Sequence, residues 1–306
     1  MKKTLITISG PTASGKTKFS IELANKLNCE IISFDSRQFY KEMSIGTAVP
    51  SKKELSVIKH HLIQHVSIKR NYTIKDFELD ATKIIENQFQ IKNYIILVGG
   101  SFLYLDSITK GLDFIPSTKP DIRENLNMEF KKQGIDFLKN KLKILDPTYY
   151  EKVDKNNHRR LIRALEVSIS SGKPYSSFLG KEKKEHPFDI INLSIDVNRN
   201  CLYERIDNRV NLMINSGLVE EVKNLLKFKG LNPLNAIGYK ELFHFFEGKK
   251  SFDDCVNEIK KNSRRYAKRQ ITWFNRLEAY EISMQIQIKG IKMGLNTVKN
   301  LALDLC

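Results

Sequence analysis

The chain has 306 residues, 41% hydrophobic and 28% charged, which suits a globular protein of one large domain or two modest ones with a sizeable core. No window nears the roughly 18 consecutive apolar residues of a membrane span, and Met1-Lys2-Lys3-Thr4 runs into a short apolar strand rather than a signal peptide's longer apolar stretch, so a cytoplasmic location is expected. The formal net charge of +16 points to a polyanionic partner, nucleic acid or a membrane surface, or else to a lysine-rich solvated surface.

In chain order, Thr4–Ser9 is a short β-rich run, Gly10 to Gly15 a loop, and Lys16 to Leu27 a helix, with Phe19, Leu23 and Leu27 at four-residue steps. Further apolar runs follow at Glu30 to Phe34, Tyr94 to Val98 and Ile190 to Val197. Continuous apolar runs alternating with helices predict a parallel sheet buried on both faces. Between Pro116 and Asp189 the texture is helical and rich in Lys and Arg, as is most of the stretch from Arg199 to Arg276. The expected class is therefore α/β: a P-loop NTPase-like parallel sheet flanked by helices, with a mostly helical insertion. The expected divisions are a core over 1–115, the insertion over 116–189, the core resumed over 190–276, and a tail of uncertain role over 277–306.

Gly10-Pro11-Thr12-Ala13-Ser14-Gly15-Lys16-Thr17 fits G-x-x-x-x-G-K-[ST] between a strand and a helix. The glycines let backbone N–H groups converge on an anion, and the helix N-terminus points at the same spot. Lys16 adds a charge, and the Thr17 hydroxyl can hold Mg²⁺. ATP is the usual guest of such a loop, but any diphosphate fits. Asp35 ends the second strand and, by the rule that ligands sit outside strand carboxyl ends, should lie near the loop. It could bind Mg²⁺, accept a proton, or merely cap a helix. Ser101, after Gly99-Gly100, repeats the geometry; capping of the helix Phe102 to Thr109 is its plainest role, contact with reacting atoms the alternative.

Lys260 to Arg276 holds seven basic residues and no acid. Lys260, Arg264 and Lys268 fall at four-residue steps, as do Lys261, Arg265 and Arg269, while Ile259, Tyr266 and Trp273 recur on another face. This is an amphipathic helix with a cationic face suited to a nucleic-acid backbone. Arg159, Arg160 and Arg163 cluster in the insertion, and Arg205 and Arg209 follow the fourth strand, placed to reach back to phosphates unless nearby Glu or Asp claim them. Cys29, Cys201, Cys255 and Cys306 lie far apart, so disulfides and zinc are not expected. His60, His61 and His65 are expected to pack or to face solvent rather than to hold a metal.

The motifs GPTASGKT (10–17), DSRQ (35–38), IGTA (45–48), HHLI (60–63), GGSFLY (99–104), NNHRRLIRALEV (156–167), SGKP (171–174), LYERIDNRVNLMINSGLVEEV (202–222), AIGYKE (236–241) and YAKRQITWF (266–274) resemble, in order, those of the tRNA dimethylallyltransferases, or tRNA isopentenyltransferases. The resemblance implies transfer of a dimethylallyl group from dimethylallyl diphosphate to N6 of the adenine at tRNA position 37, next to the anticodon, with release of diphosphate. It implies that the phosphate loop, Gly10, Pro11, Thr12, Ala13, Ser14, Gly15, Lys16 and Thr17, binds the prenyl diphosphate, with Mg²⁺ at Thr17. Asp35 matches the general base, Arg209 an arginine associated with the diphosphate, and Ser101 a position usually Thr that contacts the amine or the diphosphate. Asp35, Ser36, Arg37, Gln38 and Ser101 match the neighbourhood of the tRNA substrate. Arg159, Arg160, Leu161, Ile162 and Arg163 in the insertion match the region facing the anticodon arm, and Arg123 resembles a further tRNA contact. On the basic helix Arg264, Arg265, Lys268 and Arg269 are expected to meet RNA. Two departures stand out: Asn275 where a basic residue is expected, and a tail from about Glu278 onward that matches nothing in the family. The expected enzyme is a monomer. The competing classes are an NTP-dependent kinase, which leaves the basic segments unexplained, and a non-enzymatic RNA-binding protein, which leaves the loop and Asp35 unexplained.

Overall fold

The computed structural model describes residues 2–180 and 185–275 and the backbone of Tyr280–Ser283. The core opens with β1 (Thr4–Ser9), α1 (Lys16–Leu27), β2 (Ile31–Ser33), α2 (Lys52–Val57), β3 (His60–His61), α3 (Ile74–Ile91), β4 (Tyr94–Gly99) and α4 (Phe102–Thr109). The helical segment carries α5 (Pro120–Gln133), α6 (Ile135–Leu145), α7 (Pro147–Lys152) and α8 (His158–Ser171). The core resumes with β5 (Asp189–Asp196), α9 (Arg199–Asn215), α10 (Leu218–Leu225), α11 (Tyr239–Phe246), α12 (Phe252–Phe274) and β6 (Tyr280–Ser283).

Among the described residues six strands lie in the order β3-β2-β4-β1-β5-β6, every pairing parallel. In β1, Leu5 packs on one side of the sheet with Ile32, Phe34, Ile95 and Leu97. Ile6 and Ile8 pack on the other with Ile31, Ile96, Val98 and the α1 residues Ile21, Leu23 and Ala24. Apolar residues on both faces are what a parallel sheet sandwiched between helices requires. Two strands went unread in the sequence. β3 is only two residues long, and β6 falls in the segment read as a tail, where it pairs with β5. The remainder of that tail, and Arg276, lie outside the described residues.

A second compact unit spans residues 110–184. Its limits lie earlier than the 116–189 expected from the prolines, because the chain leaves the core where α4 ends at Thr109. His186 Nε2 sits 3.2 Å from the Thr109 carbonyl, back within the first unit. The helical unit has its own core of Leu126, Leu138, Leu142, Leu161, Ala164 and Leu165. Asn157 opens α8 by accepting the Arg160 amide, and Gly172 closes it in a left-handed conformation. Buried Asp146 accepts the Tyr149 amide at 2.9 Å and the Ser176 hydroxyl at 2.7 Å, which ties the following turn to α7.

Candidate active site

Three chain segments meet at the carboxyl ends of adjacent strands: the phosphate loop after β1, Asp35 after β2 and Ser101 after β4. The loop turns into α1 through Gly15 at φ 96°, where a side chain would be strained. Ala13 also holds a left-handed φ of 63°, a cost of about 1 kcal/mol that a loop wrapped for anion binding must bear. Ser14 Oγ is buried with no hydrogen-bond partner, so the loop keeps a polar atom unsatisfied inside its own curl.

Lys16 lies under the loop. Its Nζ donates to the carbonyls of Gly10 at 2.9 Å and Pro11 at 2.7 Å. Burial, together with the charge of Arg209, pulls its pKa down to about 7, against the opposing pull of Asp35. Arg209 comes from α9; its Nη1 lies 3.4 Å from Thr12 Oγ1, and burial lowers its pKa too. Arg205, one turn earlier, is exposed. The Asp35 carboxyl is pushed up by burial, partly offset by the Arg37 amide and by the charges of Lys16, Arg37 and Arg209. Its Oδ1 accepts that amide at 3.0 Å in a tight turn, so one oxygen does cap locally. Half-buried Lys16 and Arg209 stand with one carboxylate at the mouth of the loop, basic groups that an incoming anion would hold in their charged forms.

The Ser101 hydroxyl does not cap α4. Its backbone carbonyl opens the helix, accepting the Tyr104 amide at 2.9 Å. Its Oγ accepts the Ser36 amide and donates to Ser36 Oγ, both at 3.1 Å. Tyr266 of α12 lies close to Ser101 and Asp35, and its pKa is raised to about 12 by burial and by the Asp35 charge. The Thr17 hydroxyl sits at the start of α1. Among the described residues no cluster of three or more His, Cys, Asp or Glu could hold a metal. A cation at Thr17 would therefore draw most of its ligands from phosphate oxygens and water, which suits Mg²⁺. His61 instead meets Glu30 at 2.5 Å, and His65 packs edge-on against Phe39 and Tyr72.

Several residues expected to meet RNA are committed to the protein. Gln38 donates to the Ala48 carbonyl at 2.9 Å and accepts from Ser33 Oγ at 3.2 Å, bracing the 44–48 loop. Arg37 Nη1 donates to the Asn232 and Pro233 carbonyls. Arg264 grips Asp207 of α9 through two bonds of 2.5 and 2.7 Å. Arg123 and Arg163 both pair with Glu166, a carboxylate only 1% exposed. Leu161 and Ile162 are buried in the helical core, since every helix that packs turns its apolar positions inward. Arg159 and Arg160 are exposed, as are Lys261, Arg265, Lys268 and Arg269 on α12.

Three contributions were missed in the sequence. Glu221 accepts the amides of Ser44, Ile45 and Gly46 at 2.8–3.0 Å and the Tyr239 hydroxyl at 2.6 Å, so it holds the loop that Gln38 also braces. Tyr266 lies close to Ser101 and Asp35. Gln270, 3% exposed, joins the phosphate loop to the turn after β4. The last carries a signal: a polar residue on the apolar stripe of an amphipathic helix.

Residues 38–277 match the family described as IPP transferase. The chain belongs to the IPP transferase family. It is 51% identical to the tRNA dimethylallyltransferase of Christiangramia forsetii over 90% of this chain and 91% of that one. It is 49% identical to that of Flavobacterium johnsoniae over the same shares. Among solved structures, a full-length tRNA isopentenylpyrophosphate transferase from Bacillus halodurans superposes with a TM-score of 0.68 at 33% identity, covering 99% of this chain and 98% of that one. A eukaryotic dimethylallyltransferase, described as acting on tRNA, gives a TM-score of 0.78 at 29% identity over 92% of this chain and 74% of that one.

Proposed function

We propose that the chain transfers the dimethylallyl group of dimethylallyl diphosphate to N6 of the adenine at tRNA position 37, beside the anticodon, and acts as a monomer in the cytoplasm. The observation that carries this reading is the meeting of Lys16 and Arg209 at the phosphate loop with the Asp35 carboxyl after the neighbouring strand β2. It offers an anion site and a proton acceptor side by side. The diphosphate sits in the curl of the Gly10 to Thr17 loop at the N-terminus of α1, with Lys16 and Arg209 balancing its charge. Mg²⁺ at Thr17 would add positive charge to that same diphosphate. The adenine leaves its stack at little cost in a single-stranded loop. Its N6 forms the new C–N bond at the allylic carbon as the C–O bond breaks, and the departing diphosphate keeps the electron pair. Asp35, whose carboxyl is less acidic than usual, takes the proton from N6. Ser101 and Ser36 orient the amine through their paired hydroxyls. The exposed Arg159 and Arg160, and the outer face of α12, supply backbone contacts to RNA.

The test is to incubate the protein with unmodified tRNA and either dimethylallyl diphosphate or ATP and to weigh the digested nucleosides. A mass gain of one dimethylallyl group on adenosine, only with the prenyl donor, is expected. Phosphoryl transfer from ATP to the RNA or to a metabolite overturns the reading in favour of a kinase.

A further inference from the structure

α12 has two faces with different duties. Lys268 and Arg269 point outward, while the next residue, Gln270, is buried. The Gln270 Oε1 accepts the Thr12 amide of the phosphate loop at 2.9 Å, and its Nε2 donates to the Gly100 carbonyl at 2.8 Å. Both polar ends of one side chain are thus spent on two different loops, one carrying the diphosphate cradle and the other Ser101. The fit is close. A Cβ on Gly100 would lie 2.3 Å from Gln270 Nε2, so only glycine there leaves room for the amide. Thr12 is held from its other side by Arg209, and α12 is anchored at its end by Trp273 stacked on Phe102, centroids 4.7 Å apart.

We propose that Gln270 is a positioning residue that sets the distance between the phosphate loop and Ser101, and so between the leaving diphosphate and the attacking amine. This rests on the reaction proposed above. Gln270 reaches neither substrate; it acts through Thr12 and Gly100. Each substrate keeps its own contacts when the strap is cut, but their relative placement slackens. Misplacement of reacting groups costs turnover rather than affinity.

Three variants of the full chain test this. Gln270→Met keeps the volume and removes both hydrogen bonds. Gly100→Ala pushes the amide aside without touching Gln270 itself. Gln270→Glu restores both bonds only when its carboxyl is protonated, because the acid O–H then donates to Gly100 while the carbonyl accepts from Thr12. With Gln270→Met and Gly100→Ala, kcat should fall about tenfold or more while KM for dimethylallyl diphosphate and the Kd for tRNA stay within about threefold. With Gln270→Glu, activity relative to the parent protein at each pH should recover as pH falls from about 8 to about 6. A kcat within twofold of the parent, a loss confined to KM, or a ratio flat with pH overturns the assignment. Amide hydrogen exchange over residues 10–17 reads the strap without turnover: faster exchange is expected in Gln270→Met, and unchanged exchange also overturns it. If the parent protein prenylates no tRNA, the proposed reaction fails, and the exchange measurement alone then decides on Gln270.

Discussion

At the residue scale the pocket is a problem of charge held out of water. A buried lysine with a pKa of about 7 is only partly charged at neutral pH. The ammonium is lost as pH rises through that value and regained when a dianion sits against it. Binding of inorganic diphosphate at about pH 8 should therefore draw protons from solution, and the uptake should vanish in Lys16→Met. Calorimetry in buffers of different ionisation enthalpy checks this; equal heats across buffers for the parent protein would show a lysine already charged. Asp35 is shifted the opposite way, with burial raising its pKa. Its carboxylate is lost as pH falls through a value above the usual range, so turnover should decline on the acid side. Asp35→Ala should lower kcat by about a hundredfold or more while leaving tRNA affinity nearly unchanged. Single-turnover rates beside filter-binding constants separate the two, and unaltered turnover would remove Asp35 from the base role.

At the element scale the helices divide their arginines between ion pairs within the protein and the exposed surface. In the helical unit Glu166 is a buried carboxylate neutralised by Arg123 of α5 and Arg163 of its own helix. Removing one partner leaves the charge undercompensated. Because both arginines are partly exposed, Arg163→Ala should cost about 2 kcal/mol, below the range for a fully buried pair, with the urea midpoint of the full chain as the measurement. Arg160→Ala, three residues earlier on the exposed surface, should leave that midpoint in place and weaken tRNA binding. The same contrast holds on α12. Arg264 ties the helix to Asp207 of α9, whereas Arg265 beside it is exposed. A weaker midpoint in Arg265→Ala than in Arg264→Ala would invert this division. The sequence spacing put both arginines on a basic helix and went no further, because periodicity gives the face a residue lies on and not the partner waiting there.

At the scale of the whole molecule, the net charge of +16 matters through the cations that remain exposed. Among the described residues of the two basic segments these are six: Arg159, Arg160, Lys261, Arg265, Lys268 and Arg269. If each meets one phosphate of a largely single-stranded loop, log Kd against log salt should have a slope of magnitude about 4. Arg160→Ala should lower that by nearly one unit. A slope near zero would assign the basic surface to solvation.

The sequence by itself determined the parallel sheet, the phosphate loop, the strand-end placement of Asp35 and Ser101, and the presence of two basic segments. These follow from local rules: apolar runs, glycine spacing, and the fixed relation between a strand's end and the loop after it. Only the tertiary structure decided which polar groups are free. Gln270 meets a loop 258 residues away, Arg264 an aspartate 57 residues away, and Arg123 a glutamate 43 residues away. A hydrogen bond needs its partner within about 3 Å, and no local pattern records which distant residue the fold will bring there. That is why the phosphate loop was legible and the strap that steadies it was not.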